Sequence, residues 1–200
     1  MKHLALAFAL AGSLALALPA APAWAADESA QAIETASHAV DLAQQDLQDT
    51  FGKSSLHNGQ FVWKDGAASV DRVVVDLSNQ MAYAYDGDEL VAASTISSGD
   101  MDHLSPIGVF SVLEKREMYH SKKYDNAPMP FMQRITETGV AMHGGALPGH
   151  PASHGCIRLP KQFAAKLFGA TRTGTEVLVA EPEGPPTLAD GAGKAASKNG

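Results

Sequence analysis

Apolar residues recur every three or four positions between residues 27 and 51, and Gly52 follows the last of them. This spacing is that of one face of an α-helix, and a glycine commonly ends such a helix. The apolar positions are Ile33, Ala36, Val40, Ala43 and Leu47. The pattern predicts one amphipathic helix within residues 26–55. Its face is narrow and rich in alanine, so we expect it to pack on the main domain or on a partner.

The hydrophobic period changes from that of a helix to two from residue 71 onward. Segments 72–77, 81–85 and 90–96 read as strands, separated by the turn residues Ser78-Asn79 and Asp86-Gly87-Asp88. Further short strands are predicted over 108–113, 139–142 and 175–179. Residues 56–70 are expected to be a linker. The chain therefore predicts a mainly β domain over 71–181.

Two segments depart from the strand pattern. After Pro160, an apolar face of Phe163, Ala164 and Leu167 predicts a short helix that Gly169 ends. Residues 114–134 have no clean period, and we interpret them as an irregular lid or substrate wall.

Both ends of the chain read as accessory segments. Lys2, a Leu- and Ala-rich run and the motif Ala23-Trp24-Ala25 predict a signal peptide over residues 1–25. Its apolar run is too short for a comfortable membrane span, so we expect an exported protein with no span after cleavage. Residues 182–200 are rich in Pro, Gly, Ala, Ser and Lys and are expected to be disordered.

Composition narrows the possible functions. The 200 residues carry a formal net charge of -7 and no dense Lys/Arg run, so nucleic acid is not an expected partner. Cys156 is the one cysteine, so no internal disulfide can form. A free thiol in an oxidising compartment is a liability unless it has a chemical function.

The residues around that cysteine suggest nucleophilic catalysis. An adjacent imidazole can accept the proton of a thiol, and two candidates are near, His143 and His154. We favour His143, because it ends a predicted strand and is therefore rigidly mounted. No acidic residue lies between His143 and Cys156, so the carbonyl of Gly144 is the expected partner of the second ring nitrogen. Gly155 allows a sharp turn, and the N–H groups of Gly155 and Cys156 are candidate oxyanion donors.

Other readings of the same segment remain open. Arg158 can bind a substrate carboxylate or tie the loop to a carbonyl, and Ser153 can hydrogen-bond within the loop. Zinc is the main alternative to acyl transfer, since four side chains here are potential ligands. They are His143, His150, His154 and Cys156. Their spacing matches no zinc finger or ribbon, so we expect no metal and no cofactor.

The motif His143-Gly144 followed by Ser153-His154-Gly155-Cys156-Ile157-Arg158 resembles the signature of the L,D-transpeptidase (YkuD-type) catalytic domain of bacterial cell-wall enzymes. Upstream, Ser105-Pro106-Ile107-Gly108-Val109-Phe110 is similar to the Thr-Pro-x-Gly-x-Phe segment of that family, with serine in place of threonine. Residues 127–130 resemble its substrate-side loop. The resemblance covers about residues 71–179 and implies a β-sandwich or barrel, with one short helix after the catalytic loop.

The resemblance also implies a reaction. In it, the Cys156 thiolate attacks the meso-diaminopimelate carbonyl of a peptidoglycan tetrapeptide stem and releases D-alanine. An amine then takes the acyl group, giving a 3-3 cross-link or attachment to an outer-membrane protein. If water takes it instead, the enzyme is an L,D-carboxypeptidase or wall hydrolase. The resemblance implies that His143 is the base, that Gly144 orients it, and that His154 with Gly155 forms part of the oxyanion side. It also implies that the enzyme acts in the periplasm. Beside Arg158 and Ser153, the expected substrate contacts are Met129, Phe131 and Tyr124.

Overall fold

The computed structural model describes residues 26–182. The expected signal peptide over 1–25 and all but the first residue of the expected tail over 182–200 lie outside the described residues.

The predicted amphipathic helix is present as α1, Ala30–Phe51. It begins at Ser29, whose hydroxyl accepts a hydrogen bond from the N–H of Ala32 at 3.2 Å. It ends at Gly52, which adopts the left-handed conformation (φ 65°) and donates its N–H to the Gln48 carbonyl. The face predicted from the period is buried, except that Ala32 rather than Ile33 is its first buried residue. This helix therefore packs on the domain.

Ten strands and a second helix follow α1 up to residue 182, the last described residue. They are β1 (Phe61–Trp63), β2 (Arg72–Asp76), β3 (Met81–Asp86), β4 (Glu89–Thr95), β5 (Gly108–Ser111), β6 (Glu114–His120), β7 (Pro128–Arg134), β8 (Ala141–Gly144), β9 (Ile157–Leu159), α2 (Lys161–Ala170) and β10 (Glu176–Ala180). They form a six-stranded sheet of order β1-β4-β3-β2-β10-β5 and a four-stranded sheet of order β6-β7-β8-β9.

The six-stranded sheet contains the predicted meander, because β2, β3 and β4 pair antiparallel in succession. Two of its features were not predicted. β1 lies within the segment expected to be a linker and pairs with β4. β10 pairs parallel with β2 and antiparallel with β5, which joins the end of the domain to its beginning.

The expectation that residues 114–134 are irregular is wrong. Most of this segment is an antiparallel hairpin of β6 and β7. Its period is hidden because three successive residues of β6 are exposed and because Phe131 of β7 has a φ of 57°. A left-handed residue breaks the alternation of side chains, and the pairing of β7 with β6 skips Phe131.

Helix α2 is present after Pro160, as predicted, but it runs through Gly169 to Ala170. Lys115 of β6 caps its far end, donating from Nζ to the Phe168 carbonyl at 2.6 Å and to the Thr171 carbonyl at 2.5 Å. Helix α2 packs on β7 and β8. It therefore supports the strands that lead to the site.

The six-stranded sheet has a core cluster on each of its faces. Val73 and Val75 belong to a cluster that also contains Ile157 of β9 and Phe163 of α2. Val74, between them, belongs to a second cluster beneath α1. Neighbouring strand residues point to opposite faces, so the run of valines in β2 serves both clusters. The layers are α1, the six-stranded sheet, and then the four-stranded sheet with α2.

Within residues 26–182, neither helix is long and apolar enough to cross a membrane.

Candidate active site

Parallel pairing of β8 and β9 brings the predicted nucleophile and base together. Met142 is opposite Ile157, and both are fully buried in the core between the sheets. His143 follows Met142 and Cys156 precedes Ile157, so both belong to the opposite face of this sheet. Both side chains line one cavity. The pairing of two strands thus brings one thiol and one imidazole to the same cavity.

The cavity has a volume of about 780 Å³. Most of the predicted site residues line it. These are His143, Gly144, Ser153, His154, Cys156, Arg158, Met129 and Tyr124. Phe131 does not line it and packs against the main core and the Phe168 ring, with ring centroids 6.0 Å apart. Phe131, whose backbone is left-handed with a φ of 57°, therefore lies outside this cavity, and its contact with substrate stays a prediction.

His143 is held in one orientation by its own strand. Its Nδ1 lies 3.0 Å from the carbonyl oxygen of Gly144. Since a carbonyl only accepts, Nδ1 carries the proton and Nε2 is left as the basic nitrogen. The side chain is 7% exposed. Burial lowers the pKa of His143, the Gly144 hydrogen bond opposes this, and the charge of Arg158 lowers it further.

Cys156 is half-buried and packs with Met129, Met132 and Ala141. Burial raises the pKa of its thiol, while a backbone hydrogen bond from Ala141 and the charge of Arg158 oppose that effect. Both shifts favour the neutral forms, the thiol of Cys156 and the imidazole of His143. A neutral thiol and a neutral imidazole are suited to general-base catalysis.

The loop before Cys156 is held by its own hydrogen bonds. The Ser153 hydroxyl accepts the N–H of Gly155 at 3.1 Å and donates to the carbonyl of Cys156. The Gly155 N–H thus has a partner within the loop. That Gly155 and Cys156 donate to an oxyanion stays a prediction. Ser153 is 1% exposed, so its hydroxyl holds the loop and is not free to bind substrate.

Two residues outside the cysteine motif fix the same loop. The Ser105 hydroxyl donates to the Gly155 carbonyl at 2.9 Å and accepts the N–H of Gly99 at 2.9 Å. Gly155 turns the chain with a φ of 99°. A side chain at Gly99 is excluded, because a Cβ there would lie 2.0 Å from the carbonyl oxygen of His103. The Ser-Pro segment upstream thus positions the catalytic loop.

His154 lies on the rim of the cavity. Its ring stacks on that of Tyr124, with centroids 4.4 Å apart and planes at 14°. The ring of His103 meets it edge-on at 4.7 Å, and His103 Nδ1 lies 3.1 Å from Asp100 Oδ1. Sequence reasoning missed His103, and no local pattern around it gives a signal. The ring contacts that join these three loops form only in the folded molecule.

Arg158 extends from β9, where its backbone exchanges two 2.9 Å hydrogen bonds with Ser97. Its side chain lines the cavity and lies against Gly145, where an added Cβ would meet it at 3.2 Å. Its charge lowers the pKa of both His143 and Cys156. Of the two roles left open for Arg158, this placement favours contact with a bound anion.

The zinc alternative gains no support from the geometry. Among residues 26–182, no three or more His, Cys, Asp or Glu side chains are grouped so that they could hold a metal ion. His150 is exposed, and its carbonyl accepts a hydrogen bond from the Ser97 hydroxyl at 2.8 Å.

Residues 70–179, more than half of the chain, match the family model of YkuD, the L,D-transpeptidase catalytic domain. The chain belongs to this family, and the resemblance seen in the cysteine motif is confirmed. No curated protein sequence matches the chain.

Solved L,D-transpeptidases share the fold. The structure from Stackebrandtia nassauensis is 22% identical, with a TM-score of 0.54 over 68% of this chain and 65% of that chain. An L,D-transpeptidase solved in complex with imipenem is also 22% identical, with a TM-score of 0.51 over 54% of this chain and 57% of that chain. The chain thus spans about three fifths of the length of these structures. The mainly β fold with two helices, predicted above, is confirmed.

Proposed function

We propose that the protein is an exported L,D-transpeptidase that acts on peptidoglycan tetrapeptide stems through a Cys156 acyl-enzyme. One observation carries the proposal: His143, with Nδ1 bound to the Gly144 carbonyl, shares a face and a cavity with Cys156. A thiol and an oriented basic nitrogen that open into one cavity of about 780 Å³ support this proposal.

The first half-reaction follows from the protonation states. Nε2 of His143 takes the thiol proton as the sulfur attacks the diaminopimelate carbonyl, and a carbon–sulfur bond forms. The N–H of Cys156 is the proposed donor to the resulting oxyanion. The tetrahedral intermediate collapses with cleavage of the bond to D-alanine, whose leaving amine receives the proton from His143. The products are a thioester on Cys156 and free D-alanine.

The second half-reaction returns the enzyme to its starting form. An acceptor amine attacks the thioester carbonyl, His143 takes the proton of that amine, and the sulfur leaves and regains a proton. The acceptor we propose is a second stem, giving a 3-3 cross-link, and an amine of an outer-membrane protein is a further candidate. Water in place of the amine gives a shortened stem. The first half-reaction is the same in all three cases.

The test is to incubate the mature chain with tetrapeptide muropeptides and identify the products by mass. We expect free D-alanine, a Cys156 thioester in the intact-protein spectrum, and a cross-linked dimer. A shortened stem without a dimer would instead identify a hydrolase. The control is Cys156→Ala, which removes the proposed nucleophile. We expect its melting temperature to be unchanged, which would show that the fold is intact. Turnover by folded Cys156→Ala would refute the mechanism.

A second test uses imipenem, the compound named for one of the solved relatives. We expect a single adduct on the wild-type protein and none on Cys156→Ala. Absence of an adduct on the wild-type protein would count against Cys156 as the nucleophile.

A further inference from the structure

The cavity that contains Cys156 is lined by four cationic side chains and by no acidic one. They are Lys122, Lys123, Arg158 and Lys161. The chain as a whole has 22 acidic and 15 basic residues, so the lining has the opposite sign to the molecule. Asp125 belongs to the same turn as two of the lysines but does not line the cavity. A concentrated charge of one sign in a concave surface focuses the field on ligands of the other sign.

Among the described residues, these four side chains form no ion pair with a carboxylate. Elsewhere, Lys64 pairs with Glu89, and Arg134 pairs with Glu114 at 3.1 Å. Of the ion pairs within residues 26–182, none includes a cation of the cavity. The Lys123 ammonium lies over the face of the Tyr124 ring, 5.2 Å from the ring centroid. Like charges gathered without counter-charges repel one another, and a bound anion relieves that repulsion.

The cations surround the reacting pair from three elements. Lys122 and Lys123 lie on the turn between β6 and β7, Arg158 is in β9 beside the nucleophile, and Lys161 begins α2. The backbone of Lys161 is close to the catalytic strand, since a Cβ on Gly144 would meet the Lys161 Cα at 3.3 Å. A peptide whose carbonyl reached Cys156 would therefore have cations on several sides.

We propose that Lys122, Lys123 and Lys161 are specificity-determining residues that select the donor peptide by its free carboxylates. The preferred donor is an acidic peptide with at least two carboxylates, and the same peptide with those carboxylates amidated is disfavoured. The inference rests on the proposed function, because it concerns the donor of that reaction. It assigns these lysines no part in the bond-making steps.

The experiment compares two tetrapeptide stems that differ only in amidation of their internal carboxylates. We expect the wild-type protein to have a lower KM for the acidic stem, by about tenfold, with a similar kcat. In the Lys122→Gln, Lys123→Gln, Lys161→Gln triple variant this preference should disappear through a higher KM for the acidic stem alone. Because exposed charges are screened, the wild-type preference should also shrink as salt is raised from about 0.05 M to about 0.5 M.

The control variant removes three positive charges from outside the cavity: Lys53→Gln, Lys64→Gln and Lys166→Gln. It should retain the wild-type preference. Equal KM values for the two stems in the wild-type protein would overturn the inference. So would a loss of preference in the control as large as that in the cavity variant, because the effect would then follow net charge.

Binding of the two stems to Cys156→Ala separates this inference from the proposed function. Tighter binding of the acidic stem, with no acylation of the wild-type protein by either stem, would refute the transpeptidase proposal and leave the charge selectivity standing. Equal binding of both stems would overturn the selectivity even if acylation occurred.

Discussion

At the scale of single residues, the proposed mechanism uses two groups whose pKa values burial moves in opposite directions. Burial raises the pKa of Cys156 above its ordinary value of 9.0 and lowers that of His143 below its ordinary value of 6.5. Proton transfer therefore has to accompany attack, because a ready thiolate is scarce at neutral pH. The hydrogen bond to Gly144 keeps the basic nitrogen free for that transfer.

The pH dependence of acylation tests this assignment. Only neutral His143 accepts a proton, so the rate is lost as pH falls through its depressed pKa, and the midpoint of the acid limb should lie below 6.5. Between about pH 7 and about pH 9 the rate should stay level, because both groups keep their resting forms. In His143→Gln the rate should be low and rise towards high pH with thiolate formation. A wild-type midpoint above 6.5 would contradict the assignment.

Ser105 gives a second prediction at this scale. Ser105→Ala removes the bonds to the Gly155 carbonyl and the Gly99 N–H, leaving two buried polar groups unpaired. We expect a loss of about 1–3 kcal/mol in the free energy of unfolding, measured with urea. Acylation should slow by about tenfold or more, because the loop that aims Cys156 is released.

The control for Ser105 is Ser69→Ala, which removes an exposed hydroxyl that bonds to Asp86. Its unfolding free energy should change by less than about 0.5 kcal/mol. If Ser105→Ala behaved like this control in both measurements, the loop would not depend on that hydroxyl.

At the scale of elements, a feature could be predicted from the sequence when its pattern lies within a short stretch of the chain. The helical period of α1 is written in consecutive turns, and the motif around Cys156 lies within one short loop, so both could be predicted. The parallel pairing of β2 with β10 joins segments about 100 residues apart, and no local pattern encodes it. The β6–β7 hairpin was missed because Phe131 disturbs its alternation. The bond between the Gly155 N–H and the Ser153 hydroxyl was not predicted, because it depends on the folded loop.

Helix α1 offers a matched test of element packing. Leu47, on the buried face of the helix, is 1% exposed, whereas Leu42 on the same helix is 50% exposed. Leu47→Ala should lower the free energy of unfolding by about 2–5 kcal/mol, because it leaves a cavity against the sheet. Leu42→Ala should change it by less than about 0.5 kcal/mol. Equal effects in urea unfolding would mean that the buried face does not hold α1 to the domain.

At the scale of the whole molecule, the six-stranded sheet is shared by both halves of the core. One face packs under α1, and the other faces the second sheet and α2. Alternate side chains of β2 belong to the two clusters, so loss of the layer on one face removes support from the layer on the other. The structure thus predicts a single cooperative unfolding transition, in which α1 does not melt separately from the site.

Two probes can test that cooperativity. Trp63 is the one tryptophan outside the expected signal peptide, and its ring meets that of Phe163 in α2 edge-on at 5.7 Å. Its fluorescence therefore reports on the site side of the sheet, while the helical circular dichroism signal is dominated by the 22 residues of α1. We expect the two thermal transitions to coincide, and Leu47→Ala to shift both by the same amount. A helical transition that came first, with Trp63 fluorescence unchanged, would show that α1 is an independent layer and that the site does not depend on it.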